Sequence, residues 1–337
     1  MRIAVLLGGN SDERDVSLAS GVQVARALRE AGHEVVAFDT SRGVLPTDEE
    51  ARLLESGVSR LPPGALPPDL LDTGDTTALT REPSVGEADV FFLALHGGMG
   101  EDGTVQALLD VVGKPYTGSD MVGCALAMDK ELTKRLLRDA GIPTPEWMMG
   151  DPEPEAVRDA LGLPVVVKAA RGGSSLRLLV AHDVDELARA RELARGFGDQ
   201  VVWERFVAGR EYTVGIVGDE ALPVGEIIPD HEIFDYECKY QPGMAREIFP
   251  ADLPGEMARR LQRMALEVHG LLRLRDFSRV DFVVDGDGRP WCLEANALPG
   301  MTANSLLPKA ARAAGISFAE LCHRIAGLAR ARGGGVE

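Results

Sequence analysis

Lysine is scarce in this chain: of 36 basic side chains only six are lysine, at 114, 130, 134, 168, 239 and 309. Arginine serves wherever a fixed cation suffices, so a retained lysine points to a place that needs a compact ammonium. Positive charge is in short supply as a whole, with 53 acidic residues and a formal net charge of -17. Such a chain lacks the basic footprint that a nucleic-acid backbone requires, which leaves small ligands or proteins as partners. Long apolar runs are missing too. The run Ile3 to Leu7 is too short for a signal segment or a membrane span and breaks at Gly8-Gly9, so a cytoplasmic protein with no membrane partner is expected. The four cysteines, 124, 238, 292 and 322, form no C-x-x-C pair, so neither a disulfide framework nor a zinc site is indicated and buried thiols are expected. The P-loop pattern, a G-x-G-x-x-G after the first strand, H-E-x-x-H and G-x-S-x-G are all absent, which sets aside kinase, dehydrogenase, zincin and serine-hydrolase readings.

What is present opens as an α/β protein. RIAVLLGG reads as a strand entering a glycine turn, and Ser11 or Asp12 is placed to cap a helix through Val16, Leu18, Val22, Val24 and Leu28. HEVVAFD and DVFFLALHGG are short, near-continuous apolar strands of the kind a parallel sheet buries on both faces. Residues 41 to 87 are rich in Pro, Thr, Asp and Gly and read mostly as loop, with the first domain ending near Gly118. One helix is expected from about Asp120 to Ala140, then strands PVVVKAA and VVWERFV in a small second unit. EYTVGIVG, a helix around Glu256 to Leu272 and a last helix from about Ser317 to Arg332 follow, with no fixed-period repeat.

The segment WCLEANALPG sets Glu294 and Asn296 where a buried strand should continue. A hairpin turning at Gly286-Asp287 places Asp281 opposite Cys292 and Arg279 opposite Glu294. Arg279, Asp281, Glu294 and Asn296 then share one face, and Val283 and Leu293 are expected on the opposite, core-facing side. Two carboxylates and an amide oxygen suit Mg²⁺; the plainer alternative is a solvated sheet face with an Arg-Glu pair. Lys168 ends the buried VVV strand and Lys130 opens a helical turn, each positioned either to reach a phosphate or to snorkel at the surface. RGGSS after Lys168 is a Gly-rich turn able to cover phosphates, a weak signal by itself.

In combination, LLGGNSDERDVSLASG, ALHGGMGEDGTVQ, GKPYTGS, MDKELTK, VVVK with GGSS, FDYECKYQPG, RVDF and LEANALPGMTANSL resemble the D-alanine:D-alanine ligase family of the ATP-grasp superfamily along the whole chain. The resemblance implies an ATP-grasp fold, α/β and in part α+β: a Rossmann-like domain over residues 1–118 and two ATP-gripping α+β domains over 119–205 and 206–337. It implies ATP as co-substrate, D-alanine as substrate, a homodimer, and two Mg²⁺ ions, with Mn²⁺ as the alternative, held by Asp281, Glu294 and Asn296. Lys130 and Lys168 match phosphate-binding lysines, and Glu204 and Glu211 match positions beside the adenine and on the ribose. Glu13 matches the carboxylate that receives the first D-alanine's ammonium, and His96 a histidine near it. Ser305 and the Leu306 N–H, with Lys239 nearby, match the clamp on the second D-alanine's carboxylate, and Arg279 with the Gly300 N–H matches the oxyanion donors. Tyr240, Ser174 and Glu13 match a polar triad whose tyrosine, on a closing loop, favours an amine as the second nucleophile. A related ligase for another amino or hydroxy acid and an ATP-binding protein without turnover are the alternatives.

The chain departs from the family pattern at Ala169, at Arg177 in place of a glycine and at Ala297 where threonine is common. These changes bear on loop mobility and rate more than on metal binding. Arg177 either contacts the ATP phosphates or the closing loop, or faces solvent on an extended strand.

Overall fold

The computed structural model describes residues 1–58, 82–173, 178–198, 200–240 and 243–333, the side chains of Ser84 and Tyr240 excepted. Strands β1 (Arg2–Leu7), β2 (Glu34–Asp39), β3 (Gly43–Val44) and β4 (Val90–Leu93) form a first sheet in the order β3-β2-β1-β4. The β2, β1 and β4 pairings are parallel, as their unbroken apolar runs require, and β3 is an antiparallel edge. Ala4 to Leu7 are fully buried in a core shared with the helix Arg14–Glu30. At that helix's entry the Ser11 hydroxyl accepts the Glu13 N–H at 3.2 Å and donates to the His96 carbonyl at 2.5 Å, which ties the turn after β1 to the turn after β4.

A second, antiparallel sheet contains β5 (Trp147–Met149), β6 (Val165–Ala169), β7 (Leu178–Ala181) and β8 (Val201–Arg205) in the order β5-β8-β6-β7. The helices Pro154–Leu161 and Val184–Ala194 bury Val157, Leu161, Leu187 and Ala190 against it. The third sheet is antiparallel throughout: β9 (Gly209–Val217), β10 (Glu220–Ala221), β11 (Gly225–Pro229), β12 (Ala245–Ile248), β13 (Phe277–Asp285) and β14 (Pro290–Asn296), ordered β12-β11-β9-β13-β14 with β10 on β9. The helix Gly255–Leu271 covers it with Leu261, Met264, Ala265 and Val268. The closing helices Leu306–Ala313 and Phe318–Gly333 return to the first core through Leu307, Ala311, Leu321, Cys322 and Ile325.

Four expectations are corrected. The segment from Asp120 to Ala140 is two helices, Met121–Met128 and Lys130–Asp139, because Asp129 leaves the helical conformation and caps the second one, accepting the Leu132 N–H at 3.0 Å. Within residues 41 to 87, of which 59–81 lie outside the described residues, lies the helix Thr47–Ser56, which buries Glu50 in an ion pair to Arg29 at 2.6 Å and packs Leu53 and Leu54 against the first core. The β13–β14 hairpin turns through residues 286–289, with the Asp285 carboxylate accepting the Asp287 and Arg289 N–H groups at 3.1 and 2.8 Å and Gly288 at φ 75. Its register therefore pairs Arg279 with Asn296 and Asp281 with Glu294, and a bulge between Asp281 and Phe282 restores Phe282 opposite Cys292. The expected register was off by two residues at Arg279 and Asp281, so the shared polar face survived, and by one residue between the bulge and the turn. Val283 and Leu293 do not face the core: both line the cavity beside Asp281, and Val280, Phe282, Cys292 and Ala295 fill the core instead.

Candidate active site

A cavity of about 760 Å³ is walled by the second and third sheets and by the turns that follow β1 and β4. Glu13, Lys130, Lys168, Glu204, Glu211, Lys239, Asp281, Glu294 and Asn296, drawn from segments far apart in the chain, all line it.

The polar face of β13 and β14 forms its floor. The Asp281 carboxylate accepts from Thr213 Oγ1 at 2.7 Å, from Arg279 Nε and Nη2 at 2.9 Å each and from Asn296 Nδ2 at 3.1 Å. Glu294 lies across from it. Burial opposes ionisation of Glu294, but the fields of Lys130, Lys239, Lys168 and Arg279 outweigh it and pull its carboxyl down to about 2. Two carboxylates and an amide on one face, with Glu294 held ionised, are a donor set that suits a hard divalent cation such as Mg²⁺.

The roof carries the lysines. Lys130 Nζ donates to the Gly172 carbonyl at 2.7 Å and its backbone N–H to Ala170, so the helix start is fastened to the turn after β6. Burial lowers its pKa, Glu294 raises it, and Lys168 and Lys239 lower it further, for a net fall. Lys168 donates to Glu204 Oε1 at 2.7 Å. Glu204 also meets Lys134 at 2.6 Å, and Lys134 in turn donates to Thr144 Oγ1 at 2.7 Å and the Pro145 carbonyl at 2.9 Å. Burial works against the Glu204 charge, yet the two lysines hold its pKa below the ordinary value. Lys134 escaped the sequence reading as a site residue. Its signal was the i,i+4 spacing from Lys130 in MDKELTK, which puts both ammonium groups on one helix face. Glu211 goes the other way: burial, then Asp281, pushes its carboxyl up to about 8.

At the end contributed by the first sheet, Glu13 is 8% exposed, and its carboxylate is crowded by two glycines. A Cβ would lie 2.7 Å from Glu13 Oε2 at Gly97 and 2.6 Å from it at Gly173, so a side chain at either position would displace the Glu13 carboxylate, and Gly97 at φ 66 also has a backbone conformation that favours glycine. Glu101, also missed from sequence, accepts the Gly97 N–H at 2.9 Å and is pushed up to about 8 by burial, then by Glu13. Both glutamates face the cavity. His96 is buried, with Nε2 3.2 Å from Ser20 Oγ, and burial drives its pKa down to about 4, so its ring is neutral at physiological pH.

Arg279 does not itself wall the cavity and reaches it through Asp281, and His96, Gly300, Ser305 and Leu306 are not among the residues that wall it. The Met301 N–H donates to the same Ser20 hydroxyl at 3.4 Å, which places the loop after β14 beside His96. A Cβ on Gly300 would lie 2.9 Å from Ser305 Oγ. That hydroxyl accepts the Thr302 N–H at 3.1 Å, and Ser305 precedes the first helical residue, Leu306. Ser174, Arg177 and the side chain of Tyr240 lie outside the described residues. Ala169 and Ala297, the other two departures from the family pattern, are 4% exposed each and both line the cavity, Ala169 at the end of β6 and Ala297 while also packing in the third sheet's core.

Comparison with known proteins agrees with this architecture. Residues 2–119 match the family model of the D-ala D-ala ligase N-terminus, and residues 136–326 match that of the D-ala D-ala ligase C-terminus. The chain is 41% identical over 323 residues to a D-alanine–D-alanine ligase of Aquifex aeolicus, covering 95% of this chain and 98% of that one. Among solved structures, the D-alanine–D-alanine ligase of Bacillus anthracis superposes with a TM-score of 0.80 at 33% identity over 99% of both chains. Its complex with ATP superposes with a TM-score of 0.78. On these matches over its whole length, and on a fold that carries the ATP-grasp arrangement of sheets, the chain belongs to the D-alanine–D-alanine ligase family.

Proposed function

We propose that this protein joins two D-alanine molecules into D-alanyl-D-alanine for peptidoglycan precursors, with ATP cleaved to ADP and phosphate. The observation that carries the reading is the ionised Glu294, set among Lys130, Lys168, Lys239 and Arg279 beside Asp281 and Asn296. Such a site suits a polyphosphate with its counter-cations.

Asp281, Glu294 and Asn296 would hold two Mg²⁺ ions, or Mn²⁺ in their place. Bound there, they would neutralise the phosphate oxygens. Lys130 and Lys168 bind the phosphates as point charges, Lys168 being aimed by Glu204, which lies beside the adenine. Glu211 meets the ribose; with its carboxyl pushed up to about 8 it is largely protonated at neutral pH and offers both a donor and an acceptor.

Glu13 receives the ammonium of the first D-alanine, with His96 close behind as a neutral, positioned ring. A carboxylate oxygen of that D-alanine attacks the γ-phosphorus, ADP leaves and an acyl phosphate forms. Ser305 Oγ and the Leu306 N–H hold the carboxylate of the second D-alanine at a helix start, near Lys239. The amine of that molecule, having lost its proton, attacks the acyl carbon. Arg279 and the Gly300 N–H stabilise the oxyanion, where one donor is worth about 3 kcal/mol. The C–O bond to phosphate then breaks and the amide remains. Tyr240 and Ser174 complete a triad with Glu13 on the closing segment, which excludes water from the acyl phosphate.

The confinement of each sheet to one stretch supports the division into units 1–118, 119–205 and 206–337. No helix among the described residues is long and apolar enough to cross a membrane, in keeping with a cytoplasmic enzyme. A homodimer is the proposed assembly and sedimentation tests it. The reaction itself is tested by ADP release over a panel of amino acids with Mg²⁺ present. Turnover with D-alanine and none with L-alanine is expected; no D-alanine-dependent ADP release at millimolar substrate overturns the reading.

A further inference from the structure

Beside the cavity, the segment before and through the short helix Tyr236–Tyr240 brings together three side chains of different chemistry. His231 Nδ1 lies 2.7 Å from Asp235 Oδ2. The ligand atoms of His231, Asp235 and Cys238 all fall within 4.8 Å of one another. Two donors on a tetrahedral zinc ion, with bonds of about 2.0–2.3 Å, sit roughly 3.3–3.6 Å apart, so small side-chain rotations bring all three into range. The other ring nitrogen, Nε2, faces Glu237 Oε2 at 3.9 Å, the side from which a carboxylate orients a ligating imidazole. Cys238 is 3% exposed, whereas the His231 and Asp235 side chains are 36% and 30% exposed, so the thiol closes the inner side and the outer side stays open to an ion.

We propose that His231, Asp235 and Cys238 form a second metal site, for a borderline cation of the Zn²⁺ class, separate from the oxygen-lined face of Asp281, Glu294 and Asn296. Mg²⁺ takes oxygen ligands and gains nothing from a thiol and an imidazole, whereas Zn²⁺ and Co²⁺ bind both. Three protein ligands leave a fourth position for water. The same segment lines the cavity with Glu232, Ile233, Phe234 and Lys239. A cation bridging residue 231 to residue 238 holds the turn that presents Lys239, so occupancy of this site sets how freely the segment closes.

The test is optical and does not depend on the ligase reaction. Co²⁺ is added to the full-length protein in the presence of saturating Mg²⁺, and the near-ultraviolet thiolate-to-Co²⁺ band is followed. One equivalent is expected to produce the band, Zn²⁺ to abolish it, Cys238→Ser to lack it, and His231→Ala to weaken Co²⁺ binding at least about tenfold. Absence of the band in the folded parent overturns the proposal. So does its persistence in Cys238→Ser, which would assign it to Cys124, Cys292 or Cys322. Folding of each variant is checked by thermal melting, and if Cys238→Ser does not fold, the affinity of His231→Ala decides.

Discussion

Glu294 and Glu101 face the same cavity and are driven to opposite charge states, one down to about 2 by four cations that outweigh its burial, the other up to about 8 by burial and by Glu13. The first is built to hold positive charge. Glu294→Gln keeps the shape and removes the charge, so turnover is expected to fall at least about tenfold, roughly 1.4 kcal/mol, with a higher Mg²⁺ requirement; a rate within about threefold of the parent shows that Glu294 is no ligand. The second titrates against stability. Between its ordinary value of 4.5 and about 8, the folded protein holds a proton on Glu101 that the unfolded chain releases. Its contribution is therefore complete below that window and is lost as pH rises through it. Glu101→Gln removes this decline while Glu211, also near 8, remains in both proteins. Melted without ligands, the variant is expected to gain on the parent in going from about pH 5 to about pH 9; a constant difference in midpoint means that Glu101 does not carry the proton.

At the scale of elements, close approach decides where propensity alone would mislead. Gly21 lies in the middle of the helix Arg14–Glu30, where alanine would favour the helix by about 1 kcal/mol. A Cβ there would, however, lie 2.4 Å from Leu7 Cβ on β1, a position near the backbone that cannot swing aside. Overpacking costs about 1–3 kcal/mol, so Gly21→Ala is expected to lower stability by up to about 2 kcal/mol net; a raised urea midpoint would refute it. The bulge in β13–β14 has a comparable consequence. It turns Leu293 toward the cavity while Asp281 and Glu294 stay opposed, so an apolar wall and a polar floor come from adjacent residues.

Across the whole molecule, the last helix closes on residues from the first and third sheets. Asp276, 6% exposed and at φ 62, accepts the Gly118 N–H at 2.8 Å and pairs with Arg332, whose Nη2 also donates to the Tyr116 carbonyl at 2.8 Å. Burial lowers the Arg332 pKa to about 10, still far above neutrality, so the pair is charged under working conditions. Arg332→Ala leaves a buried carboxylate with a single N–H donor and is expected to cost about 1–3 kcal/mol; an unchanged calorimetric midpoint would show that the C-terminal helix is held by its apolar face alone. That face is substantial, since Leu321, Cys322 and Ile325 are fully buried.

Much of the site was legible in local pattern. Period-two alternation put Arg279, Asp281, Glu294 and Asn296 on one face whatever the even register, and the scarcity of lysine singled out Lys130 and Lys168, both of which reach the cavity. The unbroken apolar strands likewise announced a buried parallel sheet. The register itself was not local: it depends on Asp281 lying between Thr213 on β9 and Glu294 on β14, and on a four-residue turn held by Asp285. Nor was the helix Thr47–Ser56 legible, because only Leu53 and Leu54 supply its apolar contact with the first core and the ion pair of Glu50 to Arg29, set by the fold, supplies the rest. Sequence alone thus determined which side chains were chemically unusual. Only the tertiary structure decided their charge and partners, because the proton on Glu101 answers to Glu13 and the aim of Lys168 to a Glu204 already shared with Lys134, contacts that exist only once distant segments have packed and shut out water.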